Sequence, residues 1–548
     1  MRFLLNLFSS VSFGFIACTV NAQIVNIPDV NFKAELLANE LINSNQDSEI
    51  QVSEAQGFSD TLELSFKGIV DFTGIEAFTA ITGLNISNNY LTTPLDLSNN
   101  AQLVYLNCSN TTISSLDLSN NSLLEHLDCS QNATLNILDV SSNSELNRIE
   151  AWGIGATTID LTGVPNLEVL NCSESNISTL DLSPVTNLKE LNCGSNSLTS
   201  IDVSMLVSLE YLNVRNNEIS ALDVSNNPLL VHLYCNTNPI NALNVSVNTE
   251  LETLFCSYNG LSNLDVSQNT KLVLLNCMGN NISAIDVSAN IDLEILNISY
   301  NNSITSIDIS NNTKLIDFNC SFNDIDVLDV TNNIDLVTLT FFRNNIQTID
   351  LTNNTHIETL IFDRNDIEEL DVTNLVALRV LDCSSNSIAE LDLSNNVALT
   401  SLTAYTNGMQ SLNVKNGNNT NVIYFSTFNN PDLTCVTVDD EEYSTQNWST
   451  TSYVDATTSF SENCEASSAS LPHFETVEFI VFPNPVITDL QLQLDGEIKE
   501  YSIYDAIGMQ VATGAGKSVD VSTLASGRYI VQVISSKGDR GRAVFVKM

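Results

Sequence analysis

Apolar and polar residues alternate in short, evenly spaced bursts along most of this chain. Leu84-Asn85-Ile86, Leu106-Asn107-Cys108, Leu127-Asp128-Cys129 and Leu170-Asn171-Cys172 open a series. It continues at Leu191, Leu212, Leu233, Leu254, Leu275, Leu296, Phe318, Leu339, Leu360, Leu381, Leu402 and Ile423, in steps of 21 or 22 residues. Ile149-Glu150-Ala151 fills the gap after Leu127 as a divergent copy, and Leu62-Glu63-Leu64 is an earlier one. In each burst the two apolar residues lie two apart. A strand therefore turns both inward and the residue between them outward. Such repetition predicts a solenoid in which no single turn can bury its apolar side alone.

Three residues past the Cys slot stands an Asn, as in Asn132, Asn196, Asn259, Asn280 and Asn386. A buried column of amides can satisfy backbone groups at a corner without a sheet partner. The other half of each copy repeats as Leu116-Asp117-Leu118-Ser119 or Leu264-Asp265-Val266-Ser267, which predicts a second short strand. Two strands and two corners leave no room for a helix. The expected fold is mostly β, with about 18 turns forming a rod on the order of 85 Å long.

The Leu-x-x-Leu-x-Cys-x-x-Asn pattern resembles the leucine-rich-repeat family over residues 58–434, most nearly the Asn- and Asp-rich 21-residue repeat proteins of Bacteroidetes. That resemblance implies partner binding on the strand face. Before the solenoid, residues 23–57 read as an N-terminal cap, with a helix start at Pro28-Asp29. After it, residues 435–465 read as a C-terminal cap. Cys435 and Cys464 lie outside the repeat register and are expected to form a disulfide worth roughly 3 kcal/mol. Residues 466–476 read as a linker, and 477–548 as a small β-sandwich. Phe482-Pro483-Asn484-Pro485 and Leu524-x-x-Gly527-x-Tyr529 resemble the type A sorting domain of the type IX secretion system. The resemblance implies passage through that machinery, removal of the module, and release or anchoring at the outer surface of a Gram-negative cell.

Residues 1–22 read as a signal peptide: Arg2, an apolar run, then Val20-Asn21-Ala22 as the cleavage site. A lipoprotein signal ending at Cys18 is the alternative. Acidic residues outnumber basic ones 65 to 19, for a formal charge of −46. That disfavours nucleic acid and anionic lipid and favours cations or basic protein surfaces. No transmembrane segment and a monomeric state are expected.

Little in the chain suggests catalysis. Its four histidines, His126, His232, His356 and His473, form no metalloprotease motif, and no nucleophile elbow is present. Nine cysteines recur in the repeat slot, where Val214, Ile298, Phe341 and Phe362 also occur. Buried thiols are the expected state, with metal ligands or ladder disulfides as alternatives. Fourteen of sixteen second-half copies carry an outward Asp, from Asp96 through Asp392, with Asn244 and Asn413 as exceptions. This row is read as a solvated face whose carboxylates bond turn amides, or as a diffuse calcium strip. Asn43, Asn45, Asp47, Glu49 and Glu54 fall at EF-hand loop spacing, although Ser48 replaces the turn Gly. That loop either binds calcium weakly or is vestigial; no cofactor is otherwise required.

Outward positions of the first strand are mostly Asn, Ser or Thr, read as solubilising filler. Tyr211, Tyr234 and Phe255 break the pattern in three successive turns, Phe342 and Ile361 form a second group with Asp363, Tyr405 and Tyr424 follow, and Trp152 marks the divergent turn. Exposed aromatics on a polar wall are candidate anchors for a protein or glycan partner. Two readings follow: a secreted recognition or adhesion module, or a passive surface spacer.

Overall fold

The computed structural model describes residues 23–450, 453–464, 479–494, 496–505, 509–537 and 540–548. The residues read as a signal peptide and as a linker, 1–22 and 466–476, lie outside the described residues. The chain divides into two compact units, Met1–Leu198 and Thr199–Met548.

The first unit opens with helix α1 (Val30–Ala38), whose Phe32 and Leu36 are buried. Asp29 caps it by accepting the N–H groups of Asn31 and Phe32 through Oδ1. Its Oδ2 accepts Val70 and Asp71 N–H, 2.8 and 3.2 Å away, in the first solenoid turn. One carboxylate thus joins cap to solenoid, and Phe32 meets Phe72 with ring centroids 5.2 Å apart. Burial pushes the Asp29 carboxyl up, but the four backbone bonds outweigh it and hold it below the usual range. Asp29→Ala is expected to destabilise this cap by about 2 kcal/mol at neutral pH. Because the folded-state pKa is depressed, the advantage is present above the unfolded carboxyl pKa of about 3.9 and disappears as pH falls through the folded value. Thermal melts of both proteins from pH 7 downwards check this; a gap that widens in acid would contradict it.

Seven three-residue strands follow, from Thr61–Glu63 through Glu190–Asn192. Adjacent strands pair parallel and in register, Leu106 against Leu127 and Leu170 against Leu191. The second unit repeats this with eleven strands, from Tyr211–Asn213 to Tyr424–Ser426. Every central residue of these eleven is buried, as is the Cys-slot residue after it. The last copy corrects the register. Leu402 pairs with Phe425, while Ile423 is 87% exposed, because a 3-10 turn at Asn419–Asn421 lengthens this copy.

The predicted second strand is the larger correction. Only Glu390–Asp392, Ser411–Asn413, Cys435–Thr437 and Ser459–Ser461 form a parallel sheet on that side. Elsewhere the segment is extended without being a strand, apart from the isolated bridge Asp139↔Asp160. Turn bonds do not separate the two cases: Ser267 N–H goes to Asp265 Oδ1 in an unpaired copy, and Ser394 N–H goes to Asp392 Oδ1 in a paired one. The paired copies add bonds between turns, such as Leu393 N–H to the Asn413 carbonyl.

Two buried amide columns tie the turns together. At the corner after each strand, Asn280 donates to the Cys256 and Cys277 carbonyls and accepts Leu261 N–H. The second column lies after the Asp row and was not foreseen: Asn100, Asn121, Asn143, Asn227, Asn248, Asn269, Asn290, Asn312, Asn333, Asn354 and Asn396 are fully buried. Asn269 donates both amide hydrogens to the preceding turn, at Val245 and Asn248. The recurrent Asp-x-Ser/Thr-x-Asn spacing carried that signal.

Helix α3 (Glu441–Trp448) closes the solenoid's C-terminal end. Trp448 stacks on Phe425 at 4.3 Å and meets Phe460 edge-on. Cys435 and Cys464 are disulfide-bonded. Residues 479–548 form two small antiparallel sheets around Leu490, Leu492, Ile503, Val519, Val531 and Phe545. Asn484 of the Pro-Asn-Pro motif clasps the final strand, accepting Val546 N–H and donating to the Val544 carbonyl. Tyr529 donates its hydroxyl to the Ala525 carbonyl and stacks on Phe545.

Candidate partner-binding surface

The outward side of the first strand is held by a hydrogen bond that the filler reading overlooked. An Asn or Asp in the third strand position accepts the N–H two residues on, as Asn213 does from Arg215, Asn276 from Met278 and Asn319 from Ser321. This Asx bond braces the corner. Tyr234 and Phe255 occupy the same position and give the bond up. Their rings stack at 5.2 Å and 15°, and Tyr211 lies 5.5 Å from Tyr234. His232 meets the Tyr211 ring edge-on. All three aromatic side chains are half-buried. Burial raises the Tyr234 phenol's pKa, the neighbouring Tyr211 adds to the rise, and Arg215 opposes it.

The other candidates are more scattered. Phe342 meets Phe322 edge-on at 5.0 Å, and Phe322 stacks on Tyr300 at 3.8 Å. Arg343 places its guanidinium 4.8 Å from the Phe322 centroid. Phe322, Tyr300 and Arg343 were missed, although Tyr258, Tyr300, Phe322 and Arg343 share one slot two residues past the Cys position. Ile361 and Tyr405 are half-buried without a ring partner among the described residues. Tyr424 pairs edge-on with Tyr453 rather than with Tyr405. Trp152, in the first unit, is half-buried, and its carbonyl accepts Gln131 N–H.

The calcium readings gain no support. Among the described residues no group of three or more His, Cys, Asp or Glu is arranged to hold a metal. In the N-terminal loop each carboxylate already serves protein donors. Asp47 accepts Glu49 N–H, Asn45 Nδ2 and Gln51 Nε2. Glu54 accepts Gln51 N–H in the capping box of α2 (Val52–Gly57), together with Ser44 Oγ and Asn45 N–H. Glu49 pairs with Lys33 at 2.6 Å, and the Asn43 amide donates inward to the Leu37 and Asp47 carbonyls. Along the Asp row, each carboxylate accepts the N–H two residues on, as Asp96, Asp223 and Asp392 do. Asn244 and Asn413 keep the same bond without the charge. The row's shared element is therefore the turn bond. Hydrogen bonds from Ser225 hold Asp223 below the usual carboxylate range against repulsion from Asp202.

All nine repeat cysteines are buried as thiols. Burial pushes Cys172, Cys235 and Cys277 up to about 12, which removes the thiolate needed for attack or metal binding at neutral pH.

Residues 480–547 match the family model described as a secretion system C-terminal sorting domain. The tail is a sorting domain. It directs the chain to secretion and surface attachment, and no helix among the described residues is long and apolar enough to cross a membrane. The tail holds seven acidic and seven basic residues, so the charge of −46 resides elsewhere. No curated protein matches the chain in sequence. Among solved structures, it is similar to the functional domain of InlJ from Listeria monocytogenes, described as including a cysteine ladder. Identity there is 26%, the TM-score 0.58, and coverage 96% of this chain and 98% of that one. It is also similar to the leucine-rich-repeat protein LIC12759 of Leptospira interrogans, at 20% identity and TM-score 0.55, over 65% of this chain and 92% of that one. YopM of Yersinia enterocolitica matches at 21% and 0.50, over 69% and 87%. The fold is thus a leucine-rich-repeat solenoid.

Proposed function

We propose that this chain is a secreted, surface-displayed recognition protein whose ligand, a protein or glycan, docks on the strand face around Tyr211, Tyr234 and Phe255. The observation that carries this reading is the exchange at Tyr234 and Phe255 of a corner-bracing Asx bond for a pair of stacked, half-exposed rings. A spacer needs only the brace. In this reading the type IX machinery engages the tail, the mature protein is a monomer, no residue performs catalysis, and binding needs no calcium.

Screening the full-length protein on protein and glycan arrays, with and without calcium, tests the proposal. A Tyr234→Ser/Phe255→Ser variant should lose roughly 100-fold in affinity for any hit, as buried aromatic anchors do. Its melting temperature should stay within about 3 °C, because half-exposed side chains contribute little to the core. Hits unaffected by both substitutions would overturn this docking face, and the absence of any hit would favour the passive spacer.

A further inference from the structure

The apolar line on the strand face runs obliquely. It starts at Tyr211 in the first strand position, passes Tyr234 and Phe255 in the third, and reaches Met278 two residues beyond the third. It then continues along the corner row at Tyr300 and Phe322. That row has left-handed backbone, with φ of 56° at Tyr300 and 53° at Phe322. Bulky side chains are disfavoured there, so the slot itself gives no reason for aromatics. Gly279, at φ 69° in the same row, gives room to the Tyr258 ring: a Cβ at Gly279 would come within 2.7 Å of Tyr258 Cδ1. Tyr258 is 53% exposed.

Ring orientation selects the kind of partner. Tyr234 and Phe255 occupy one another's faces at 15°, as do Tyr300 and Phe322 at 22°. Stacked this way, the rings form a ridge and withhold the flat faces on which a sugar ring would lie. Aromatic ridges of this kind suit protein hot spots. Charge selects further. Between Thr199 and Thr434, 27 acidic residues face 7 basic ones. Glu210, Glu252 and Glu294, each just before a strand on this face, are exposed. Arg343 already sits over Phe322, so a partner's cations are left to the carboxylates.

We infer that the oblique aromatic ridge from Tyr211 to Phe322 is a docking surface for a basic protein segment, whose Lys or Arg residues meet Glu210, Glu252 and Glu294 while its apolar residues pack on the rings. This rests on the strand-face reading above and narrows it. Long-range attraction speeds encounter, and the ridge supplies the register.

Random 12-residue peptides displayed on phage, selected against the immobilised full-length protein, provide the test. Enriched peptides should combine Lys or Arg with Leu or aromatic residues. Synthesised, they should weaken at least tenfold between about 50 and 500 mM salt. Tyr234→Ser/Phe255→Ser should cost about 100-fold and Glu210→Gln/Glu252→Gln about tenfold, whereas Asp265→Asn/Asp286→Asn on the other side should leave binding unchanged. Ring-dependent peptides without basic residues would overturn the basic partner while leaving the strand-face reading intact. Peptides that bind regardless of the rings, or that are lost only with Asp265 and Asp286, would overturn both. Cellohexaose competing at the rings would overturn the protein partner in favour of a glycan.

Discussion

Asn280→Ala is expected to cost about 3–5 kcal/mol, the largest single-residue effect proposed for this protein. The substitution removes two donated bonds, to Cys256 and Cys277 carbonyls at 3.0 and 2.9 Å. It also strips the acceptor from Leu261 N–H, which Asn280 Oδ1 takes at 3.1 Å. Leu261 is fully buried, so that N–H has no water to turn to. Orphaned buried N–H groups are rare because the whole desolvation cost remains. A matched substitution in the other column should cost less. The Asn269 Oδ1 has no hydrogen-bond partner, and Leu206 and Leu375 occupy the same slot three turns before it and five turns after it. Asn269→Leu therefore loses two donors but orphans no N–H. Because solenoid stability is a sum over neighbouring turns, the loss should be local. Amide exchange around Leu261 should accelerate most. A loss below about 1 kcal/mol for Asn280→Ala, or equal losses for both variants, would refute the bond accounting.

Reducing the Cys435–Cys464 disulfide is expected to release the C-terminal cap before the rest of the solenoid. The bridge spans 29 residues. Closing a loop of that length contributes roughly 3–4 kcal/mol, chiefly by restricting the unfolded chain. The cap has a small core, Phe425, Trp448 and Phe460, so this loss is large relative to what holds it. Trp448 is one of two tryptophans, and Trp152→Phe isolates its emission. Under denaturant, reduced protein should show a Trp448 transition well before the bulk loss of sheet signal, while oxidised protein should show the two closer together. Identical Trp448 transitions in both states would show that the disulfide does not hold the cap. The buried repeat cysteines should be spared at mild reductant, since none of them is bridged.

The pitch, the inward Leu and Cys, the capping Asp29 and the tail motif were all legible in the residues. Each rests on something a one-dimensional pattern carries: a period of 21 or 22, an alternation of two, or a short motif. The Cys slot could be understood because Val214, Ile298 and Phe341 replace it, and all are buried. The second-half strand was misjudged for an equally physical reason. Alternation reports which way side chains point, not whether the backbones of neighbouring turns pair, and the sheet on that side begins only at Glu390–Asp392. Likewise, Asp47 and Glu54 have the composition of ligands, yet their oxygens are taken by Gln51, Asn45 and Ser44. Spacing cannot reveal such competition, because the donors arrive from a fold that must first close.

The strand face divides in the same way. Periodicity alone placed Tyr211, Tyr234 and Phe255 on one wall in adjacent turns. Only packing decided that Tyr234 and Phe255 stack face to face, that Phe342 turns to Phe322, and that Tyr424 leaves Tyr405 for Tyr453. Repetition propagates a backbone from turn to turn, so the chain's own letters determine that backbone closely. Side-chain rotamers on an open face answer to unlike neighbours one turn away, and those contacts exist only once the turns are stacked.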